Sequence, residues 1–262
     1  MAAKKLPKIS IITPSLNQGD FIEKTIKSVL SQDYPNIEYI IIDGKSTDNT
    51  PDILKKYEKD IILISEKDKN QSNAINKGLK IASGEIIGYL NADDVYEPHA
   101  LFRISNFFKE NPKILWTTGK CSIIDDKGKE IRPFIKLWKH IWQKIALSIN
   151  KEFEILLVLN YISQPATFIK KELVQKVGFL NEDMEYAMDY EYWLRISRKS
   201  KLGYIDSDIA RFRIHENSKT NKNFKYQIIE GYKCAKENTN SRLFLFLHTL
   251  QDKCTIKVYQ EL

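Results

Sequence analysis

Four apolar runs, at residues 9–13, 38–43, 61–65 and 85–90, alternate with amphipathic stretches, and this alternation constrains the chain more than any other feature. Each run is short, isoleucine-rich and bounded by polar residues, so it reads as a buried strand. Between the first two, Asp20 and Glu23 form a capping-box pattern ahead of Ile22, Ile26, Val29 and Leu30, which share one helical face. Thr50 and Pro51 open a second helix carrying Ile53, Leu54 and Tyr57. Ala74, Ile75, Leu79 and Ala82 mark a third, which stops at Gly84. Strand and helix in regular exchange predict an α/β fold, Rossmann-like, with a mostly parallel central sheet flanked by helices.

Past residue 96 the rhythm changes. Residues 98–108 read as a helix, 115–124 as a strand and 125–128 as a hairpin turn, without a further clear βαβ unit. In residues 136–149, Leu137, Ile141, Ile145 and Ile149 recur every fourth position beside Trp138 and Trp142, with Lys136, Lys139 and Lys144 interspersed. This is a basic amphipathic helix, whose apolar side either packs on the core or meets an acceptor or a membrane surface. The apolar run at 243–247 poses the same choice. No repeat or Pro/Gly-rich linker divides the chain, so one continuous unit is expected.

Composition narrows the class. The 262 residues are 42% hydrophobic and 29% charged, which is globular. The N-terminus lacks an apolar targeting stretch and no long uncharged apolar run occurs, so neither secretion nor a membrane span is expected. Cys121, Cys234 and Cys254 lie far apart, which predicts no disulfide frame or zinc cluster and fits a reducing cytoplasm. The net charge of +7 suits anionic partners. Acids and bases are intermixed, however, whereas a nucleic-acid binder gathers basic residues with aromatics on one element.

Ligands of open α/β sheets gather beyond the carboxyl ends of the strands, and those ends here carry Thr13-Pro14-Ser15, Asp43, residues 66–68 and Asn91-Ala92-Asp93-Asp94. Adjacent carboxylates at a strand tip repel unless a cation or donors neutralise them. They could share Mg²⁺ or Mn²⁺ with a diphosphate, or form a solvated turn with a helix cap. Asp43, followed by Gly44-Lys45-Ser46-Thr47-Asp48, reads as a nucleobase contact or as a turn cap. Residues 208–215 alternate, placing Ala210, Phe212 and Ile214 on a core face and Arg211, Arg213 and His215 on a cationic one. That cationic face could hold a diphosphate, with His215 also able to ligate a metal, or simply meet solvent. Asp189 stands where a helix N-cap would stand, or where a general base could reach an attacking hydroxyl.

Together the stretches Ile11-Ile12-Thr13-Pro14-Ser15-Leu16-Asn17, Ile42-Asp43-Gly44-Lys45-Ser46-Thr47-Asp48-Asn49-Thr50 and Leu90-Asn91-Ala92-Asp93-Asp94 resemble the signature of glycosyltransferase family 2 in order and spacing. Gln164-Pro165-Ala166-Thr167-Phe168 and Asp189-Tyr190-Glu191-Tyr192-Trp193 add to the likeness, which spans roughly residues 8–220. The resemblance implies a GT-A fold over residues 1–220, with a nucleotide-binding half at 8–96, an acceptor and catalytic half at 97–220 and a helical C-terminal extension at 221–262. It implies that Thr13, Pro14, Ser15 and Asp43 bind the nucleoside, and that Asp68 sits by the base or ribose. Asn91, Asp93 and Asp94 occupy the DxD-type position, with Asp94 first for the metal. Asp189 is the implied base; Arg213 and His215 are the implied diphosphate or metal contacts. Asn91 departs from the family, which often has an acid there.

By the same resemblance, the reaction is inverting transfer of a sugar from a nucleotide-diphosphate donor, UDP-sugars being the commonest, to a saccharide or lipid-linked saccharide hydroxyl with Mn²⁺ or Mg²⁺. Peripheral contact with the inner face of a cell membrane is compatible with it. A nucleotidyltransferase would need a Gly-rich basic loop near the first strand, which Thr13 to Gly19 lacks. A non-catalytic nucleotide-sugar-binding protein is the remaining rival.

Overall fold

The isoleucine runs form one half of a nine-stranded sheet in a computed structural model that describes residues 6–216 and 218–260. Strands β1 (Ile9–Ser15), β2 (Ile37–Asp43), β3 (Ile62–Ser65) and β4 (Ile86–Tyr89) lie in the order β3-β2-β1-β4, all parallel. Helices α1 (Ile22–Leu30), α2 (Thr50–Lys56) and α3 (Gln71–Ile81) connect them. Then come β5 (Val95–Tyr96), α4 (Ala100–Glu110), β6 (Trp116–Ile124), β7 (Glu130–Ile131), α5 (Pro133–Ser148) and α6 (Glu152–Val158). The chain continues through β8 (Thr167–Lys170), α7 (Lys171–Val177), α8 (Met188–Ser197), β9 (Leu202–Arg213), α9 (Lys219–Asn238) and α10 (Arg242–Gln260).

Parallel order therefore holds across the first four strands, and the sheet is mixed beyond them. β8 enters antiparallel between β4 and β6, and β9 runs parallel to β6. β7 folds back on β6 through the turn at 125–128, a connection too short for a parallel crossover.

Consecutive residues of the central strands bury on opposite faces. Ile12, Ile40 and Ile42 join α3, Trp116 and Trp193 on one side; Ile9, Ile11 and Ile41 join α1, α2 and α4 on the other. This two-sided burial is why the runs read as continuous apolar segments. Helix α3 approaches β1 so closely that a Cβ on Gly78 would lie 2.5 Å from Ile12 Cγ2.

Four local expectations are corrected. The Asp20/Glu23 capping box does not form, because Phe21 is the N-cap residue of α1 and Glu23 instead accepts from Tyr57 Oη at 3.0 Å. Leu30 is exposed rather than core. β3 is a sheet edge, with Ile62 45% and Leu63 39% exposed, so its apolar run is not a buried strand. In α5, Leu137, Ile141, Ile145 and Ile149 face outward while Trp138 and Trp142 pack against the core. In the 243–247 run, Phe244 packs inward and Leu243 and Phe246 are exposed. No helix among the described residues is long and apolar enough to cross a membrane.

The two C-terminal helices brace the second half. Glu230 of α9 accepts hydrogen bonds from the backbone N–H groups of Glu185, Tyr186 and Ala187, just ahead of α8. His248 of α10 bonds the Leu157 carbonyl through Nδ1 at 2.7 Å.

Candidate active site

Where β1 separates β2 from β4, the chain order reverses, and a cavity of about 570 Å³ opens beyond the carboxyl ends of these strands. Its floor on that side is made by Pro14, Ser15, Gly44, Asn91 and Asp93. The Gly44 N–H donates to the Ser15 carbonyl at 2.8 Å, drawing the β1 and β2 ends together. A Cβ on Gly44 would meet Asp68 Oδ2 at 3.1 Å, so the narrow passage beside Asp68 depends on that glycine. The Ser15 hydroxyl is buried and has no hydrogen-bond partner among the described residues, a polar group left for a ligand.

The polar segment after β2 works mainly as scaffold. Asp43 is buried; its carboxylate accepts from the Ser46 and Ser65 hydroxyls and does not line the cavity. Ser46 and Thr47 bond Asn17, and Asp48 accepts from the Gly19 N–H, so this turn holds the loop after β1 in place. Thr13 is likewise buried, paired with Tyr39 Oη at 3.1 Å. Asp68 lines the cavity and is held by Lys77 Nζ at 2.6 Å.

The adjacent carboxylates of the strand tip part company. Asp93 faces the cavity, and its Oδ2 lies 3.1 Å from His215 Nε2, which also lines it. Asp94, the residue expected first as metal ligand, is turned inward and fully buried. It accepts from the Arg213 N–H at 2.8 Å and the Asn91 amide at 3.1 Å. Burial and then the charge of Asp93 push its carboxyl well above the ordinary carboxylate range. Asn91 joins an amide network, accepting from Gln71 at 2.7 Å and donating to Gln164 at 3.0 Å.

Arg213 also differs from the expected placement. It is buried, and its guanidinium donates to the carbonyls of Asp93 at 2.8 Å, Asp125 at 2.7 Å and Asp126 at 3.1 Å. Phe212 and Ile214 line the cavity in its stead. The alternation of β9 is real and Ala210 is core as expected, but Phe212 and Ile214 turn to the cavity, which His215 of the other face also lines. Arg213 thus ties β9 to the strand tip and fixes the backbone that presents Asp93.

On the far side stands Asp189, the second residue of α8 rather than its N-cap, which is Ala187. Its place is set one turn on: Trp193 is fully buried and stacks against Tyr89 of β4 and Trp116 of β6 at 6.2 and 5.9 Å. Burial raises the Asp189 carboxyl above its ordinary value, opposed by the Tyr190 N–H and by the charge of Lys139. Lys139, one of several lysines on α5, reaches the same cavity, and nothing in the sequence singles it out. Burial pushes its ammonium down. Cys121 also lines the cavity, but burial pushes its thiol up to about 12, so it is not a thiolate nucleophile.

Among the described residues, no group of three or more carboxylate, imidazole or thiol side chains gathers as a metal cage. Asp93 and His215 offer one carboxylate and one imidazole side by side. That set fits Mn²⁺ or Mg²⁺ bound chiefly through a ligand's phosphate oxygens.

Fold and cavity together define a GT-A-type α/β protein. The glycosyl transferase family 2 model matches residues 10–178, more than half of the chain, and the chain belongs to that family. It is 30% identical to TuaG of Bacillus subtilis, a protein named for teichuronic acid biosynthesis, over 84% of each. In fold it resembles Staphylococcus aureus TarS 1-349 in complex with UDP-GlcNAc, with a TM-score of 0.66 and 17% identity over 90% of this chain and 68% of that one. It also resembles the mannosyltransferase PcManGT of Pyrobaculum calidifontis in complex with GDP-Man and Mn²⁺, with a TM-score of 0.68 and 17% identity over 93% and 69%. The chain spans 40% of the length of a Rickettsia felis relative and 66% of a Rickettsia prowazekii one.

Proposed function

We propose that the chain is an inverting glycosyltransferase that moves a sugar from a nucleotide-diphosphate donor, a UDP-sugar first, onto a saccharide hydroxyl in cell-surface polysaccharide synthesis. One observation carries the reading: Asp93 with His215 and, across the same cavity, Asp189 flank the space beyond the β1 and β4 ends. Pro14, Ser15, Gly44 and Asp68 line the part suited to the nucleoside. Asp93 and His215 would hold the divalent cation, which when bound offsets charge on the diphosphate.

Asp189 accepts the proton of the acceptor hydroxyl as its oxygen bonds to the anomeric carbon and the carbon–phosphate-oxygen bond breaks, inverting that centre. Its raised carboxyl makes it a better base at neutral pH than an exposed aspartate. The apolar wall of Ile123, Ile162, Phe212 and Ile214 limits water at the reacting carbon. The UDP-GlcNAc, UDP and GDP-Man complexes of fold neighbours, and relatives named for polysaccharide synthesis, support the substrate class.

The test is nucleotide diphosphate release from UDP-, GDP- and dTDP-sugars with mixed envelope saccharides, with and without Mn²⁺, beside Asp189→Asn. Metal-dependent release that is lost in the variant is expected. Binding of a nucleotide sugar without turnover under every condition would overturn the enzymatic reading in favour of a binding protein.

A further inference from the structure

Three lysines of α5 have different surroundings. Lys136 reaches Asp208 at 2.5 Å and Lys144 reaches Asp206 at 2.8 Å, both on the outside of the cavity wall. Lys139, the one that lines the cavity, has no carboxylate within ion-pair distance among the described residues. Its Nζ donates to the Ile162 carbonyl at 3.1 Å and more weakly to the Ser163 hydroxyl at 3.4 Å. An ammonium has three N–H donors, so one remains for a ligand. Two other charged groups of the cavity lining have partners of their own: Asp68 is held by Lys77, and Lys69 by Asp183 at 2.9 Å.

A part-buried cation held only by neutral partners is costly to keep unless something anionic arrives. Lys139 and Asp189 line the same cavity, and the charge of each favours the charged form of the other. Asp68, Asp93, Glu185 and Asp189 also line the cavity, and unaided they would repel an acidic sugar.

We propose that Lys139 receives a carboxylate borne by a sugar ring bound next to Asp189, so that a uronic-acid-type saccharide is the transferred sugar or the acceptor. The spare N–H beside the Ser163 hydroxyl can donate one charge-assisted hydrogen bond to a carboxylate oxygen. This specificity rests on the transferase reading above.

The experiment titrates wild type, Lys139→Met and Lys139→Arg with UDP, with UDP-glucose against UDP-glucuronic acid, and with GDP-mannose against GDP-mannuronic acid, all with Mn²⁺. A second arm compares turnover on glucose-terminated and glucuronate-terminated oligosaccharides. A charge-assisted hydrogen bond predicts that wild type favours the carboxylated member of one pair by roughly 10-fold or more. Lys139→Met erases that preference while UDP affinity is unchanged, and Lys139→Arg keeps part of it. Preference in the titration makes the donor acidic; preference in acceptor KM alone makes the acceptor acidic. Equal weakening of UDP and of neutral sugars by Lys139→Met would assign the ammonium to the diphosphate and overturn the proposal, as would indifference to charge in both arms. Those results leave the transferase reading standing, whereas wild type that binds no nucleotide sugar removes both.

Discussion

On one side of the cavity Pro14, Ser15, Gly44, Asn91 and Asp93 stand at the tips of parallel strands or in the turns that follow them; on the other, Lys139 and Asp189 project from helices α5 and α8. The strand side draws more on its own turns, as when Asp43 and Asp48 bind the turn and the Asn17–Gly19 loop, although Arg213 of β9 also fixes the backbone of Asp93. The helix side is organised by distant residues: Trp193 stacks on β4 and β6, and Glu230 of α9 holds the backbone before α8. The difference teaches that strand tips supply a site directly from local pattern, while a helix-borne base needs a tertiary frame.

The sharpest break in that comparison is Asp189→Asn. It should lower kcat by about 10²- to 10⁴-fold with nucleotide binding and melting temperature little changed. In wild type, kcat/KM should fall as the pH drops through a value above the ordinary aspartate range, because burial raises the group that must be ionised. Retention of more than a tenth of wild-type kcat by the variant would move the base elsewhere.

The strand side has its own internal contrast. Asp94→Ala should cost on the order of 1–3 kcal/mol of stability, read as denaturant midpoint, because the buried Arg213 N–H loses its acceptor. Asp93→Ala should leave stability nearly unchanged and weaken Mn²⁺-dependent turnover. A reversed pattern, with Asp94→Ala stable but insensitive to metal, would return the metal to Asp94.

Glu38 fixes the opposite end of β2. Burial alone would raise its carboxyl, but bonds from Lys8, Ser10 and Ser83 outweigh this and hold it at about 2 against an ordinary 4.5. The resulting stability, on the order of 3 kcal/mol, is fully present above about pH 4.5 and is lost as pH falls towards 2. Acid unfolding of Glu38→Gln, followed by circular dichroism, should show a flatter pH dependence over that window. A slope equal to wild type would mean that another carboxylate governs it.

On the helix side, Glu230→Ala leaves three N–H groups ahead of α8 without their acceptor. Stability should drop by about 1–2 kcal/mol and kcat by roughly 10-fold, with KM for the donor held, since the base loses its frame and the strand tips do not. Equal losses in donor affinity and kcat would show that the two sides are one mechanical unit.

These cases also show what was legible in the sequence. The parallel strands and their polar tips follow from runs that must bury on both faces. That Asp93, Asp189 and His215 meet in one cavity agrees with the ordered motifs that resemble the family. The orientation of Arg213 was not legible, because an apolar cavity wall and a packed core ask for the same residues at Phe212 and Ile214. Lys139 was hidden among equivalent lysines on α5, and Glu230 lies far along the chain in a helix with no local mark of its target.

The smallest expected effect concerns the one apolar run that misled. Ile62 and Ile41 have the same side chain on neighbouring strands, yet Ile62 is 45% exposed on the edge and Ile41 is 0% exposed at the centre. Ile41→Thr should cost about 2–3 kcal/mol, from lost apolar burial and an inserted hydroxyl. Ile62→Thr should stay within about 0.5 kcal/mol, as threonine suits a strand and the site is already wet. Chemical denaturation of both variants measures the contrast. A cost above about 2 kcal/mol at Ile62 would mean that the β3 edge is covered in solution by a further stretch of protein, and the apolar run would then be a buried strand after all.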